Sequence, residues 1–305
     1  MGPIGFIGVG KMGAAMAARL LQRGATLVVC DPDPAACAAL ARAGAAVADT
    51  PRAVADQVPL AFACLPSGEI SEQVALGPAG LVHGRTLRTY VETSTIGQQT
   101  MEHIARGLDG HGIDTVDAPV SGGPDGAAAG RLATVAAGPA AARARAAAAI
   151  ASYAGTCVDA GPRAGMAQVF KLVNQGLTFA SVALTAEAMA MGVKAGADAR
   201  ALLDFLNAGT ARNWATAVKF PQSVLTRTFG HGHLGIVRKD LQLYLELCRR
   251  SGTPALMGGQ AAALFELVES LFPGQADLAS VVRLYETFTG APVGGAATAS
   301  NEEPR

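Results

Sequence analysis

The segment Ile4-Gly5-Phe6-Ile7-Gly8-Val9-Gly10-Lys11-Met12-Gly13 runs a short apolar strand into a G-x-G-x-x-G turn, and an Ala-rich helical run, residues 14–23, leaves the turn. Few chain paths satisfy that order. Gly8 permits the tight turn, Gly10 lets the backbone approach a pyrophosphate, and Gly13 lets the helix pack close to the strand. Lys11 and Met12 lie in the first turn, whose free N–H groups and positive dipole end suit phosphate. A second strand, Thr26–Cys30, ends at Asp31, 18 residues after Gly13, where a ribose-binding carboxylate belongs. With 37 glycines in the chain the turn alone says little. Strand, turn, helix, second strand and acid in register predict a dinucleotide site.

The alternation continues. Strands are expected at Pro3–Gly8, Thr26–Cys30, Leu60–Leu65, Thr89–Glu92 and Asp114–Asp117, and helices at Lys11–Arg23, Pro34–Ala43, Ser67–Ala75 and Gln98–Leu108. This predicts an α/β fold with a parallel, doubly wound, Rossmann-like sheet. Arg131–Ala137 and Cys157–Asp159 read as late strands, with Ala140–Tyr153 a helix between them. After Gly161-Pro162-Arg163-Ala164-Gly165 the pattern becomes all-helical. A long apolar helix from Met166 to about Ala195 leads, followed by Asp198–Asn207, Ala211–Lys219, Lys239–Ser251, Pro254–Leu271 and Leu278–Thr289. The expected organisation is a dinucleotide-binding domain over 1–163, an all-helical substrate and oligomerisation domain over 164–292, and a disordered tail over 293–305.

A chain of 305 residues accommodates about two domains. Lys plus Arg equals Asp plus Glu at 24 each, so nucleic acid and an anionic membrane surface are not expected partners. Arg, Lys, Asp or Glu interrupts each apolar run, and no membrane-spanning segment is expected. The N-terminus enters a strand at once, so no signal peptide is expected and the chain reads as cytoplasmic. The five cysteines are scattered and fit no metal spacing, and no metal is expected. His231 and His233, flanking Gly232 with no third ligand in view, read as loop residues or pocket lining.

Several segments sit where chemistry belongs in such a sheet, beyond the carboxyl ends of strands. Leu65-Pro66-Ser67 and Glu92-Thr93-Ser94-Thr95-Ile96 each follow a strand and are placed to touch a dinucleotide, though Ser and Thr there also suit helix N-caps. Asp117-Ala118-Pro119-Val120-Ser121-Gly122-Gly123-Pro124-Asp125-Gly126 is a second glycine-rich turn. Ser121 offers a hydroxyl and Gly122 and Gly123 offer unobstructed N–H groups, a cradle for a small carboxylate or else a plain turn. On the long helix, Lys171, Asn174 and Gln175 at i, i+3 and i+4 share one face. A Lys with two amides on an apolar helix implies a polar cavity, an interdomain ion pair or an exposed Lys, and an amine in such a cavity suits proton transfer. Arg238-Lys239-Asp240 reads as a helix start, with Asp240 in its first turn. Trp214 and Phe229 are candidates for a substrate wall, with packing against the long helix the other reading of Trp214.

Together these segments resemble the β-hydroxyacid dehydrogenase family, which includes 3-hydroxyisobutyrate dehydrogenases and tartronate semialdehyde reductases. The resemblance runs from Gly5 to about Thr289. It is carried by the first glycine motif with Met16-Ala17, by Asp117–Gly123 with Gly126-Ala127 and Gly130, by Lys171-Leu172-Val173-Asn174-Gln175, and by Lys239-Asp240-Leu241. It implies reversible oxidation of a small 3-hydroxy acid by a nicotinamide cofactor, with Lys171 as acid/base. It implies Ser121, Gly122, Gly123, Asn174 and Gln175 at the substrate, and Leu65, Pro66, Thr95 and Lys239 at the cofactor. Asp31, with no Arg or Lys beside it, favours NAD over NADP. The apolar long helix and Leu256–Leu271 favour a homodimer or homotetramer. Arg19 and Gln175 stand where many members carry Asn. Rival readings are a semialdehyde reductase of tartronate, succinic or glyoxylate type; an imine reductase, which usually lacks the Lys; a decarboxylating 6-phosphogluconate dehydrogenase, which is longer; and a non-catalytic dinucleotide-binding protein.

Overall fold

The computed structural model describes residues 2–229, 234–274 and 277–295. Helix by helix and strand by strand, the first half is built as follows. β1 (Ile4–Ile7) enters α1 (Lys11–Gln22), and β2 (Leu27–Cys30) enters α2 (Pro34–Arg42). β3 (Ala46–Val47), α3 (Pro51–Ala55), β4 (Leu60–Ala63), α4 (Gly68–Leu76), β5 (Thr89–Glu92), α5 (Gln98–Asp109) and β6 (Asp114–Asp117) complete the main sheet. Short polar residues start the helices. Asp33 accepts from the Ala35 N–H at 2.9 Å, Thr50 from Ala53 at 3.1 Å and Ser67 from Ile70 at 3.3 Å, each satisfying a donor the helix cannot.

The six strands are all parallel in the order β3-β2-β1-β4-β5-β6. Chain progression reverses between β1 and β4, and the crevice at that reversal is where open α/β sheets bind ligands. Both faces are apolar, as a parallel sheet requires. Phe6, Leu27, Val29 and Phe62 point to one side and pack with Met16, Leu20 and Tyr153. Ile7, Val28 and Tyr90 point to the other and pack with Val54, Ile104 and Leu108. The sheet is therefore doubly wound, as expected. β7 (Val120–Ser121), α6 (Gly123–Ala128), β8 (Leu132–Ala136), α7 (Ala140–Tyr153) and β9 (Ala154–Asp159) follow. The two late strands join a separate three-stranded sheet, β7-β8-β9, linked to β6 through a bridge between Asp117 and Ala137.

α8 (Met166–Lys194) opens the helical part, with α9 (Ala199–Ala208), α10 (Leu234–Ser251), α11 (Leu256–Leu271) and α12 (Val281–Thr289) after it. The chain divides into two compact units, Met1–Leu172 and Val173–Arg305. The sequence boundary at 163/164 leaves out 164–172, which join the first unit because Gly165 and Gln168 are hydrogen-bonded to β6. In the second unit Phe179, Val182, Ala186 and Met189 of α8 form a core with Phe220, Leu241, Phe265 and Val282. Tyr244 of α10 lies against two glycines. A Cβ on Gly176 would come within 2.7 Å of its ring, and one on Gly258 within 2.5 Å.

Four expectations need correction. α8 is long and apolar enough to cross a membrane by length and composition, contrary to the sequence reading; its Phe179–Met189 face is nonetheless spent on the helical core. The helix expected at Ala211–Lys219 is a wide-turned π-helix over Ala215–Val224. Asn213 Oδ1 accepts from the Ala215 N–H at 2.7 Å and fixes that start, and Pro221, lacking an N–H, sits inside it. Lys239 and Asp240 lie in the second turn of α10, not at its start, because Leu234, Val237 and Leu241 form a buried stripe that begins the helix earlier. The tail does not begin at 293. Val293 is fully buried, its N–H donates to Glu286 Oε1 at 2.6 Å, and the Gly295 N–H donates to Leu225 O at 3.1 Å. His231, His233 and residues 296–305 lie outside the described residues.

Candidate active site

The glycine turn is shaped as the sequence demands. Gly8 has φ +80°, and a Cβ there would sit 2.3 Å from the Cys64 carbonyl. A Cβ on Gly13 would sit 1.9 Å from the Gly8 carbonyl, so α1 closes on β1 through the missing side chain. Gly10 differs from both: a Cβ there meets nothing within 4 Å. Gly10 precedes α1 with no side-chain cap, and Lys11 beside it is exposed. Uncapped N–H groups facing open space fit a pyrophosphate.

Asp31 closes the turn from the β2 side. One carboxylate oxygen accepts from the Val9 N–H at 2.8 Å and the other from Asp33 N–H at 2.9 Å. Each oxygen keeps a second lone pair for ribose hydroxyls. Arg19 points its guanidinium elsewhere, to the Ser152 carbonyl at 3.2 Å and Gln22 Oε1 at 3.1 Å. The glycine turn and Asp31 therefore fit the adenosine end of a nicotinamide dinucleotide. The β4 and β5 ends are joined directly. Ser94 Oγ accepts from Leu65 N–H at 2.6 Å, and Thr93 Oγ1 donates to Ala63 O at 2.6 Å. Leu65 and Thr95 are partly exposed and Pro66 is exposed.

Ser121 ends β7, and Gly122 and Gly123 adopt φ +128° and +69°. A side chain at either would be strained. The stretch from Gly123 is not a plain turn but the short helix α6. Ser121 is half-buried and both glycines are exposed, so their N–H groups are accessible to an anion.

Lys171 is buried, 9 % exposed, in the second turn of α8. The helix enters from Gly165, whose φ is +92° and whose Cβ would lie 2.9 Å from Glu102 Cγ. One turn before Lys171 is Gln168, fully buried, which the sequence reading missed. Its Oε1 accepts from Ile96 N–H at 2.9 Å and Gly97 N–H at 3.1 Å, and its Nε2 donates to Ser94 O at 3.1 Å and Asp117 Oδ1 at 2.7 Å. Asp117 Oδ2 accepts from the Gly165 and Gln168 N–H groups at 2.9 and 3.1 Å. Glu92 lies beside Asp117 in register and accepts from Tyr90 Oη at 2.7 Å and Ser94 N–H at 2.8 Å. Burial pushes the Asp117 carboxyl up to about 7, its hydrogen bonds from Gln168 and Gly165 hold it down, and Glu92 adds a further push up. Burial also raises the Tyr90 hydroxyl well above its ordinary value, with Glu92 reinforcing it. A signal existed in the sequence: acids at the last positions of two apolar strands, and a Gln three residues before the Lys.

In the second unit, Asn174 is exposed and its Nδ2 donates to Gln175 Oε1 at 3.2 Å. Gln175 Nε2 donates to Asp240 Oδ2 at 2.7 Å, and Lys239 Nζ lies 3.1 Å from Asp240 Oδ1. Asp240 is buried and so ties the Gln175 amide to the Lys239 ammonium. Trp214 is exposed on one face. Phe229 lies under the guanidinium groups of Arg227 and Arg283, with 5.1 and 6.0 Å to its ring centre.

Comparison with known proteins gives a consistent picture. Residues 3–161 match the NAD binding domain of 6-phosphogluconate dehydrogenase. Residues 165–285 match the family described as NAD-binding of NADP-dependent 3-hydroxyisobutyrate dehydrogenase. The chain is 32% identical over 294 residues to 2-(hydroxymethyl)glutarate dehydrogenase of Eubacterium barkeri, covering 96% of this chain and 97% of that one. It is 34% identical to 3-hydroxyisobutyrate dehydrogenase of Pseudomonas aeruginosa, covering 88% and 92%. Among solved structures, 3-hydroxyisobutyrate dehydrogenase of Mycobacterium tuberculosis with L-serine superposes with a TM-score of 0.84 at 29% identity, over 93% of this chain and 99% of that one.

Proposed function

The chain belongs to the β-hydroxyacid dehydrogenase family and is a nicotinamide-dependent hydroxyacid dehydrogenase, and from that premise we propose that Lys171 is its acid/base, that a 3-hydroxy acid is its substrate and that NAD is its preferred cofactor. The observation that carries the reading is a buried lysine, Lys171, on a helix anchored to the carboxyl ends of β5 and β6. Oxidising a carbinol removes a hydride from carbon and a proton from oxygen. The bound nicotinamide supplies the hydride chemistry. Lys171 Nζ takes the hydroxyl proton in oxidation and returns it in reduction. Ser121 Oγ and the Gly122 and Gly123 N–H groups hold the substrate carboxylate, which fixes the carbinol relative to the amine, and positioning of this kind is worth several kcal/mol of barrier. Asn174 and Gln175, one turn beyond Lys171 on α8, are the amides the family resemblance assigns to substrate, and Asp240 holds Gln175.

The NAD preference rests on Asp31. A carboxylate accepts from two ribose hydroxyls but repels a 2′-phosphate, and Asp33 adds a second acid two residues on. A panel of small 3-hydroxy acids and semialdehydes, each assayed with both cofactors, tests the reading. Turnover of at least one such acid, with kcat/KM at least tenfold higher for NAD, is expected. No turnover of any member, or a tenfold preference for NADP, contradicts it.

The same premise extends to assembly. Leu177, Leu184 and Met191 recur every seven residues on α8 and are each at least 60 % exposed. Such a stripe matches the seam of paired helices, and the partner proposed is a second copy of this chain. Light scattering at micromolar concentration is expected to give a dimer or tetramer; a monomer of 30.7 kDa refutes it.

A further inference from the structure

The Gln168 amide uses its whole hydrogen-bonding capacity. Two backbone N–H groups fill its oxygen, and a carbonyl and a carboxylate take its two hydrogens. Its orientation cannot be reversed, because a turned amide would set NH2 against the Ile96 and Gly97 donors. The partners come from two places far from Gln168 in sequence, the β5–α5 connection and the end of β6. Asp117 reads the same junction from the other side, accepting from Gly165, from Gln168 N–H and from the Gln168 side chain. One turn further along the same helix stands Lys171. Lys171 is thus carried on a helix whose first turn is held by the buried Gln168 amide and the Asp117 carboxyl together.

We propose that Gln168, held by Asp117, is a positioning residue for Lys171, fixing the first turn of α8 so that the amine is delivered to the reacting hydroxyl. The proposal rests on reading Lys171 as the acid/base. Gln168 itself touches neither substrate nor cofactor in this account. Its polar atoms are all committed to protein groups, so its effect on the reaction passes through the helix. The polarity of the bond between Asp117 and Gln168 is what matters. Gln168→Glu sets a carboxylate oxygen against Asp117 Oδ1 and the Ser94 carbonyl. Asp117→Asn sets an NH2 group against a donor. The double variant Asp117→Asn/Gln168→Glu restores a donor facing an acceptor between the two side chains, with the direction reversed, and leaves only the Ser94 carbonyl facing a carboxylate oxygen.

The test measures kcat, NAD affinity by fluorescence and thermal midpoint for both single variants, the double variant, Lys171→Ala and Gln168→Glu/Lys171→Ala. Displacing a catalytic group by about 1 Å costs on the order of 100-fold in rate. Each single variant is therefore expected to lose about 10- to 100-fold in kcat with NAD affinity within about threefold of wild type, and the double variant to recover at least about threefold of the Gln168→Glu loss, the lost Ser94 contact accounting for the rest. In the Lys171→Ala background, Gln168→Glu is expected to change kcat by less than about threefold, since no amine remains to misplace. A folded Gln168→Glu enzyme with wild-type kcat overturns the proposal. So does a loss in the Lys171→Ala background as large as in wild type, which a purely structural role would give. If neither single variant folds, the double variant decides: folded and active within about tenfold supports the proposal, folded and inactive overturns it. Wild-type kcat in Lys171→Ala alone instead defeats the acid/base assignment, a failure recorded separately.

Discussion

One substitution made at two glycines separates cofactor binding from folding. At Gly10 the backbone has φ −63° and ψ −170°, which alanine adopts freely, and the added methyl meets no protein atom within 4 Å. Alanine is a poorer N-cap than glycine by roughly 0.5–1 kcal/mol, but it also lowers the entropy of the unfolded chain by about 0.4–1 kcal/mol. The two nearly cancel, so Gly10→Ala should leave the thermal midpoint almost unmoved. Its methyl instead occupies the approach to the uncapped N–H groups of α1. Losing one hydrogen bond to a charged phosphate costs about 1.5–3 kcal/mol, or about 10- to 100-fold in NAD affinity. At Gly13 the added carbon lies 1.9 Å from the Gly8 carbonyl oxygen, so α1 must move off β1 by more than an ångström. Overpacking of that kind costs about 1–3 kcal/mol or more, which for a unit of this size is on the order of 5–10 °C in midpoint. Differential scanning fluorimetry and a fluorescence titration with NAD read both quantities on both variants. A Gly10→Ala protein that binds NAD within threefold of wild type refutes the placement of the pyrophosphate, and a Gly13→Ala protein with an unchanged midpoint refutes the packing argument.

Two further outcomes are expected. Because burial raises the folded-state Asp117 carboxyl from its ordinary 3.8 to about 7, its protonated form is favoured in the folded protein; that stability is fully present below about 3.8 and is lost as pH rises through 7. Midpoints of wild type minus Asp117→Asn across pH 4.5–8 should therefore fall with rising pH, and a flat difference contradicts the assignment. In the helical unit, Gly176→Ala drives a methyl into the Tyr244 ring at 2.7 Å and should cost about 1–3 kcal/mol by denaturant titration; an unchanged denaturation midpoint would show that Tyr244 moves aside freely.

The parts of this fold that were legible in the sequence are those set by short-range chemistry. Gly8, Gly10, Gly13 and Asp31 announce β1, α1 and β2 because each step depends on neighbours in the chain. β3 and α3 were passed over because Ala46–Val47 and Pro51–Ala55 are too short to show a period. α6 was read as a turn because Gly122-Gly123-Pro124-Asp125-Gly126 carries turn residues throughout, although its helix is held between Gly122 and Ala129. The π-helix was misplaced because Asn213, read as an interior position, is the group that starts it. Of the site, the glycine turns and Lys171 were visible as motifs. Gln168 was not, since its partners lie 51 to 74 residues away and only the folded sheet brings them to one amide.

Lys171→Ala tests the central claim most directly. Acid–base catalysis supplies about 10²–10⁴-fold in rate, alanine suits a helix at least as well as lysine, and the glycine turn and Asp31 belong to other elements. With the best hydroxy acid from the panel, kcat should fall by about 100-fold or more while NAD affinity and the thermal midpoint stay near wild type. Wild-type kcat in Lys171→Ala, or loss of NAD binding and of the fold together, would contradict the account.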